Sequence, residues 1–150
     1  MNKDLQNKIY SAYPKIFKDK DLNAFQSCMF WGITVGDGWF NLMDELCSSL
    51  QEYSDKMNIQ VVAEQVKEKF GGLRFYYRIE LGDNLQNGKT EDELKELYIS
   101  IYKEIDKMIR KAEYRSETEC EICGNPSVVQ SFNGWLSCTC TKCAAQRKGL

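Results

Sequence analysis

The stretch IQVVAEQVKEKFGGLRFYYRIEL, residues 59–81, decides the fold. Val62, Val66 and Phe70 fall at helical spacing. Gly71-Gly72 interrupts that pattern, however, and Leu73-Arg74-Phe75-Tyr76-Tyr77-Arg78-Ile79 alternates as a strand does. The segment is read as a β-hairpin, Ile59–Lys69 paired with Leu73–Leu81, turning at Gly71-Gly72. Alternation places Lys67 and Lys69 on one side of the first strand, and Arg74, Tyr76 and Arg78 on one side of the second. If the two sides coincide, the sheet carries four cations around a tyrosine, with Val62, Val66, Phe70, Phe75, Tyr77 and Ile79 turned inward. Glu64 and Glu68 then share the inward side, where carboxylates need partners.

Helices are expected on both sides of this hairpin. Asn2 to Lys20 carries Leu5, Ile9, Tyr10, Tyr13, Ile16 and Phe17 at helical spacing, with Pro14 set to kink it or to start a second short helix. Asp21 to Phe40 is aromatic and glycine-rich, an irregular segment or short strand that turns at Gly36-Asp37-Gly38. A helix from about Trp39 to Lys56 follows, with Phe40, Met43, Leu46, Cys47 and Leu50 on one face. Asp37 is expected to cap it; the alternative is an anion held by the N–H groups of Gly38 and Trp39. Thr90-Glu91-Asp92-Glu93 is a capping box, and Leu94, Leu97, Tyr98, Ile101, Ile105, Met108, Ile109 and Ala112 repeat behind it at intervals of three and four. Acidic residues lead this helix and basic ones trail, as its dipole favours. Its apolar stripe reads as the core-facing side of a domain helix rather than a coiled-coil seam. The fold class is therefore α+β, with helices packed on a small antiparallel hairpin or sheet over residues 1–116.

Residues 117–150 form a different kind of module. Cys120-Glu121-Ile122-Cys123-Gly124 and Cys140-Thr141-Lys142-Cys143 are two C-x2-C pairs sixteen residues apart, a spacing that suits a four-cysteine zinc site. Two thiolates two residues apart chelate from one tight knuckle. Asn133-Gly134 between Val128–Phe132 and Trp135–Cys138 is the turn of a two-residue hairpin. A hairpin with a knuckle at each end is a zinc ribbon, holding one Zn2+ through Cys120, Cys123, Cys140 and Cys143. Four ligands fill a tetrahedral ion, which makes the site structural. Cys138, beside Cys140, is an alternative ligand, while Cys28 and Cys47 read as buried thiols.

Composition narrows the chemistry. The chain has 150 residues and no histidine, which removes Ser-His-Asp, Cys-His and HExxH mechanisms. Any acid–base work would fall to Asp, Glu, Lys, Tyr or Cys. A formal charge of −2 argues against a nucleic-acid-coating protein. In the ribbon, Glu117, Glu119 and Glu121 offset Lys142, Arg147 and Lys148. No signal-like N-terminal stretch and no apolar run near ~18 residues is present, so a cytoplasmic, reduced protein with no membrane contact is expected. Gly82 to Gly88-Lys89-Thr90 imitates a P-loop, but five residues separate its glycines where the motif needs four.

Cys28-Met29-Phe30-Trp31-Gly32, Gly36-Asp37-Gly38-Trp39-Phe40, Gln65-Val66-Lys67-Glu68-Lys69-Phe70-Gly71-Gly72-Leu73-Arg74-Phe75-Tyr76 and the closing C-x2-C-G…C-x2-C resemble a family of small phage and prophage proteins, from about Tyr13 to Cys143. In that family the last ligand position is often histidine; here it is Cys143, which zinc accepts equally. The resemblance implies a mobile-element origin and expression in a bacterial host, and it transfers no catalytic residue. The expected function is a non-enzymatic, phage-type accessory protein that binds a host component, as a counter-defence inhibitor of a defence protein or a binder of its nucleotide signal. Its contact face is Lys67, Lys69, Arg74, Tyr76 and Arg78, with Trp39 stacking nearby. The partner is a host protein or an anionic small molecule such as a nucleotide. The alternatives are a nucleic-acid-binding zinc ribbon and a small nucleotide-acting enzyme using Glu64, Glu68 or Asp37 with Lys or Arg.

Overall fold

A computed structural model describes residues 1–147; Lys148, one of the ribbon cations counted above, lies outside the described residues. Strands β2 (Ile59–Lys69) and β3 (Gly72–Leu81) form the expected antiparallel hairpin. Its turn is Phe70-Gly71, not Gly71-Gly72. Lys69 pairs with Gly72, and Phe70 and Gly71 take φ of 57° and 82°. Two consecutive left-handed residues make the tight turn that matches strand twist, so the loop closes one residue earlier than the paired glycines suggest.

A bulge at Glu64 shifts the register between Ala63 and Gln65 and changes which side chains face the core. Val61, Ala63 and Val66 join Leu73, Phe75 and Ile79 inside. Val62 was expected among them. It lies opposite Arg78 on the outer face, although it too is fully buried. Phe70, also expected inside, is 66% exposed at the turn. Strand β1 (Ile33–Thr34) adds a short parallel edge beside Val66 and Lys67, giving the order β1-β2-β3.

Helices α2 (Phe40–Met57) and α4 (Glu91–Ser116) cover the inner face, with Leu42, Met43, Leu46 and Leu50 of one and Ile101, Ile105 and Ile109 of the other in the common core. The apolar stripe of α4 is thus a core face. Its N-terminus carries the capping box, Thr90 accepting from the Glu93 amide and Glu93 accepting from the Thr90 amide. Helix α1 (Lys3–Ala12) stops before Pro14, because the residue ahead of a proline is pushed out of helical geometry. The turns that follow bury Ile16 and Phe17 and bring the Ile16 carbonyl to the Ala63 amide at the bulge, 2.8 Å. A single helical turn, α3 (Asp83–Gln86), links β3 to α4. Among the described residues no helix is long and apolar enough to cross a membrane.

The two edges of the hairpin are met by different means. That of β2 meets β1 and Ile16. That of β3 meets polar side chains of α4: Leu73 N–H donates to Ser116 Oγ at 2.8 Å, Phe75 N–H to Glu113 Oε1 at 3.4 Å, and Tyr77 Oη to Asp106 Oδ1 at 2.7 Å. Burial, then the Asp106 carboxylate, push the Tyr77 phenol well above its ordinary range. Beyond α4 the chain forms the second hairpin, β4 (Val129–Phe132) and β5 (Trp135–Cys138), turning at Asn133-Gly134 as expected, and ends in α5 (Thr141–Arg147).

Ser116 and Leu73 are both fully buried, so the N–H of Leu73 has no access to water if its acceptor is removed. Ser116→Ala is expected to lower stability by about 1–3 kcal/mol. In urea unfolding this reads as a lower midpoint at unchanged slope; an unchanged midpoint would mean that another acceptor replaces the hydroxyl.

Candidate metal centre

The sulfurs of Cys120, Cys123, Cys140 and Cys143 all lie within 4.8 Å of one another, with Cys123 Sγ and Cys140 Sγ 3.7 Å apart. Four thiolates about 2.3 Å from one tetrahedral ion are spaced roughly 3.8 Å apart, so the set fits a structural metal. Each knuckle is built by its own backbone. Gly124 N–H donates to the Cys120 carbonyl at 2.8 Å, Cys120 N–H to the Asn125 carbonyl at 2.7 Å, and Ala144 N–H to the Cys140 carbonyl at 2.9 Å at the start of α5. Asn125 Nδ2 donates to Cys123 Sγ at 3.3 Å. The Cys140 thiol is pulled down to about 7, first by the backbone amide of Cys143. Cys143 moves the other way, up to about 12, because it shares its proton first with Cys123.

Cys138 is not part of this set. It is buried in the main core, and desolvation raises its thiol. Cys138 is the last residue of β5 and faces the core, whereas Cys140 lies beyond the end of the strand, where the chain has turned into the knuckle. Cys47 is buried as expected, and its thiol is pushed up by desolvation. Cys28, expected to be buried, is exposed, because the turn that carries it sends Met29 into the core instead.

The first knuckle does not stand alone. Gly36-Asp37-Gly38-Trp39 lies against it as a strap: Gly38 N–H donates to the Glu121 carbonyl at 2.8 Å, Gly36 N–H to Glu121 Oε1 at 3.0 Å, and Trp39 Nε1 to the Glu119 carbonyl at 2.8 Å. A Cβ at Gly38 would fall on the Cys120 carbonyl and on the amides of Cys123 and Gly124, all backbone and unable to yield. Trp39 is fully buried, so the stacking role expected of it is ruled out. Asp37 neither caps α2, which starts without a side-chain cap, nor leaves an open anion site. It accepts from the Asn2 amide at 2.6 Å and from Asn2 Nδ2 at 2.8 Å, bonds that hold its carboxyl below the usual range. Arg115, near the end of α4, pairs with both Glu45 and Glu119 and so ties the ribbon entrance to α2.

The cations of the sheet fall into two groups. Thr34, Lys67 and Arg74 form one row across the three strands, and the Lys67 ammonium sits 5.5 Å from the ring centroid of Tyr76, which is 45% exposed. Lys69 sits 5.2 Å over the ring of Phe70. Lys67, Lys69 and Arg74 form no ion pair with any described residue. Arg78 is different. It donates to Asp19 at 2.5 Å and to Glu80 at 3.0 Å, and these carboxylates, Asp19 first, raise its already high pKa. It is thus committed to holding the 14–21 turns on the sheet, beyond the open half.

The three acidic candidates do not form a catalytic group. Glu64 is an exposed bulge residue 3.9 Å from Arg78, Glu68 accepts from the Gly71 amide at 2.6 Å, and Asp37 is held by Asn2. The exposed pair Phe30–Trp31, packed edge to face at 5.1 Å just ahead of β1, was not anticipated as surface.

Fold and site together define an α+β protein closed by a zinc-ribbon-like module with a four-cysteine metal site. Comparison of the chain with known protein families, with curated proteins and with solved structures returned no match.

Gly38→Ala is expected to lift the strap from the knuckle. Metal retention against a chelator should fall by about tenfold or more, as for other groups that position ligands; retention equal to the unaltered protein would show that the strap does not support the site. Among the cysteines, Cys140→Ala is expected to abolish stoichiometric metal, whereas Cys138→Ala keeps one ion per chain. Metal analysis of the two purified variants checks both.

Proposed function

We propose that the ion is zinc and that the protein is a non-enzymatic binding protein of phage type, which engages a component of a bacterial host through the open half of its sheet. An all-thiolate tetrahedral set suits zinc or iron; two knuckles that supply all four ligands at the ends of a short hairpin favour zinc in a structural role. Elemental analysis is expected to give about one zinc per chain, and iron with a coloured solution would overturn that assignment.

The observation that carries the binding reading is the cluster of Lys67, Arg74 and Tyr76. Two cations sit directly across from each other on paired strands, Lys67 over the exposed ring of Tyr76, and neither forms an ion pair with a described carboxylate, although Glu113 of α4 lies near enough to feel the charge of Arg74. Like charges on directly paired strands repel each other, and an anionic partner would relieve that repulsion. The strands hold them in fixed positions, which reduces the ordering lost on binding. The resemblance to phage proteins supports a host target, and counter-defence is the role we assign.

Affinity capture from a bacterial lysate, with mass spectrometry of bound proteins and bound nucleotides, tests the reading against the double variant Lys67→Glu, Arg74→Glu. The partner is expected to be lost while the unfolding midpoint stays within the range typical of surface substitutions, about 0.5 kcal/mol. Capture that survives both reversals would remove this face from the function.

A further inference from the structure

The two hairpin tips lie side by side. Between them is a groove of about 510 Å³ lined by Glu68, Lys69, Phe70, Gly134, Trp135 and Leu136. Both turns are of the same left-handed kind, with φ of 57° and 82° at Phe70-Gly71 and 52° and 84° at Asn133-Gly134. They differ in one respect. Asn133 is the residue type this turn prefers at its first position, whereas Phe70 is a bulky side chain in a conformation that such residues avoid. Burial does not offset that strain, because Phe70 is 66% exposed; Trp135, across the groove, is 71% exposed. Two large rings are therefore held in water around one groove, one of them against its local preference. A local rule broken without gain to the fold marks a functional position.

We infer that this groove is a stacking cleft for the base of a nucleoside phosphate, with the phosphates on Lys69 and, beyond it, Lys67 and Arg74. The inference rests on the binding role proposed above for those cations and names their ligand. The groove has the size of a small-ligand site. Aromatic faces accept any base, so the cleft selects for a flat ring system rather than for one base. Lys69 stands at once in the groove and on the face that carries Lys67, while the Glu68 carboxylate is turned back onto the Gly71 amide. The anion therefore has its complement on the lysine side. An apolar peptide would leave these cations unmatched. A long polyanion would meet only a short run of cations on a chain whose formal charge is −2.

Titration calorimetry of the metal-loaded full chain with ATP, GTP, adenosine and inorganic triphosphate tests the inference. Either nucleoside triphosphate is expected to bind at least about tenfold more tightly than adenosine or triphosphate alone. Phe70→Asn and Trp135→Leu should each weaken it by about tenfold. Phe70→Asn suits the turn better than the native residue, so its unfolding midpoint should hold or rise, which separates lost stacking from lost folding. Nucleotide affinity unchanged in both ring variants, or no greater than that of triphosphate, overturns the cleft. So does tighter, steeply salt-dependent binding of oligothymidylate, which would make the groove a single-strand site. Host-component capture that needs Lys67 and Arg74 in a protein that binds neither nucleotide overturns the cleft and leaves the binding face standing. Nucleotide binding that needs both rings but is indifferent to Lys67→Glu, Arg74→Glu overturns the shared placement of the phosphates.

Discussion

The backbone of Gly38 rests on the backbone of the Cys120–Gly124 knuckle, and much of the molecule depends on that contact. Amides of the strap reach the carbonyl and carboxylate of Glu121, and the buried indole of Trp39 reaches the carbonyl of Glu119. Trp39 is at the same time part of the main core and the residue from which α2 departs. An ion that closes the four sulfurs therefore also sets where α2 begins. Main-chain groups of a short, metal-dependent knuckle have few ways to be satisfied without water, and here the body supplies them. The ribbon is in this sense not an appendage; Cys138 lies in the same core as Val61 and Leu73.

A second constraint acts on the opposite side of the sheet. The bulge at Glu64 puts Val62 and Arg78 on the outer face, where Asp19 of the N-terminal turns binds Arg78, and Lys67, Arg74 and Tyr76 share that face, Tyr76 exposed and the two cations half-buried. The cations of this face are thereby sorted. Arg78 becomes a fastener between chain segments, whereas Lys67 and Arg74 form no ion pair with a described residue, Arg74 donating to the Leu73 carbonyl. The same hairpin then runs past the core, so its tip stands beside the ribbon tip and exposes Phe70 next to Trp135. Bulge, cation row and aromatic groove are consecutive stations along one pair of strands.

Which parts were legible in the sequence follows from the range of the forces involved. The hairpin, the capping box at Thr90–Glu93, the Asn133-Gly134 turn and the two cysteine pairs depend on residues a few positions apart, and each stands where local chemistry puts it. The departures are of two kinds, long-range contacts and local backbone irregularities such as the hairpin turn at Phe70-Gly71 and the bulge at Glu64. Asp37 was assigned to the helix it precedes, but its partner is Asn2, thirty-five positions away. Trp39 was expected to stack beside the contact face, but it is buried and bonds Glu119, eighty positions away; Gly36-Asp37-Gly38 reads as a turn in the sequence, and only the fold shows that Gly38 rests on the knuckle. The inward set failed at Val62 because a bulge adds a residue without any signature in the alternation.

Sequence alone determined the class of elements, the two C-x2-C pairs that offer a four-sulfur site and the exclusion of imidazole chemistry, since periodicity, spacing and composition are properties of the chain itself. Tertiary structure alone decided that Cys138 belongs to the core and not to the metal, that Arg78 is tied down while Lys67 and Arg74 are not, and that two distant turns meet around one groove. Those outcomes depend on which face of a strand meets which neighbour. A single inserted residue reverses the face, and packing between segments far apart in the chain chooses the neighbour.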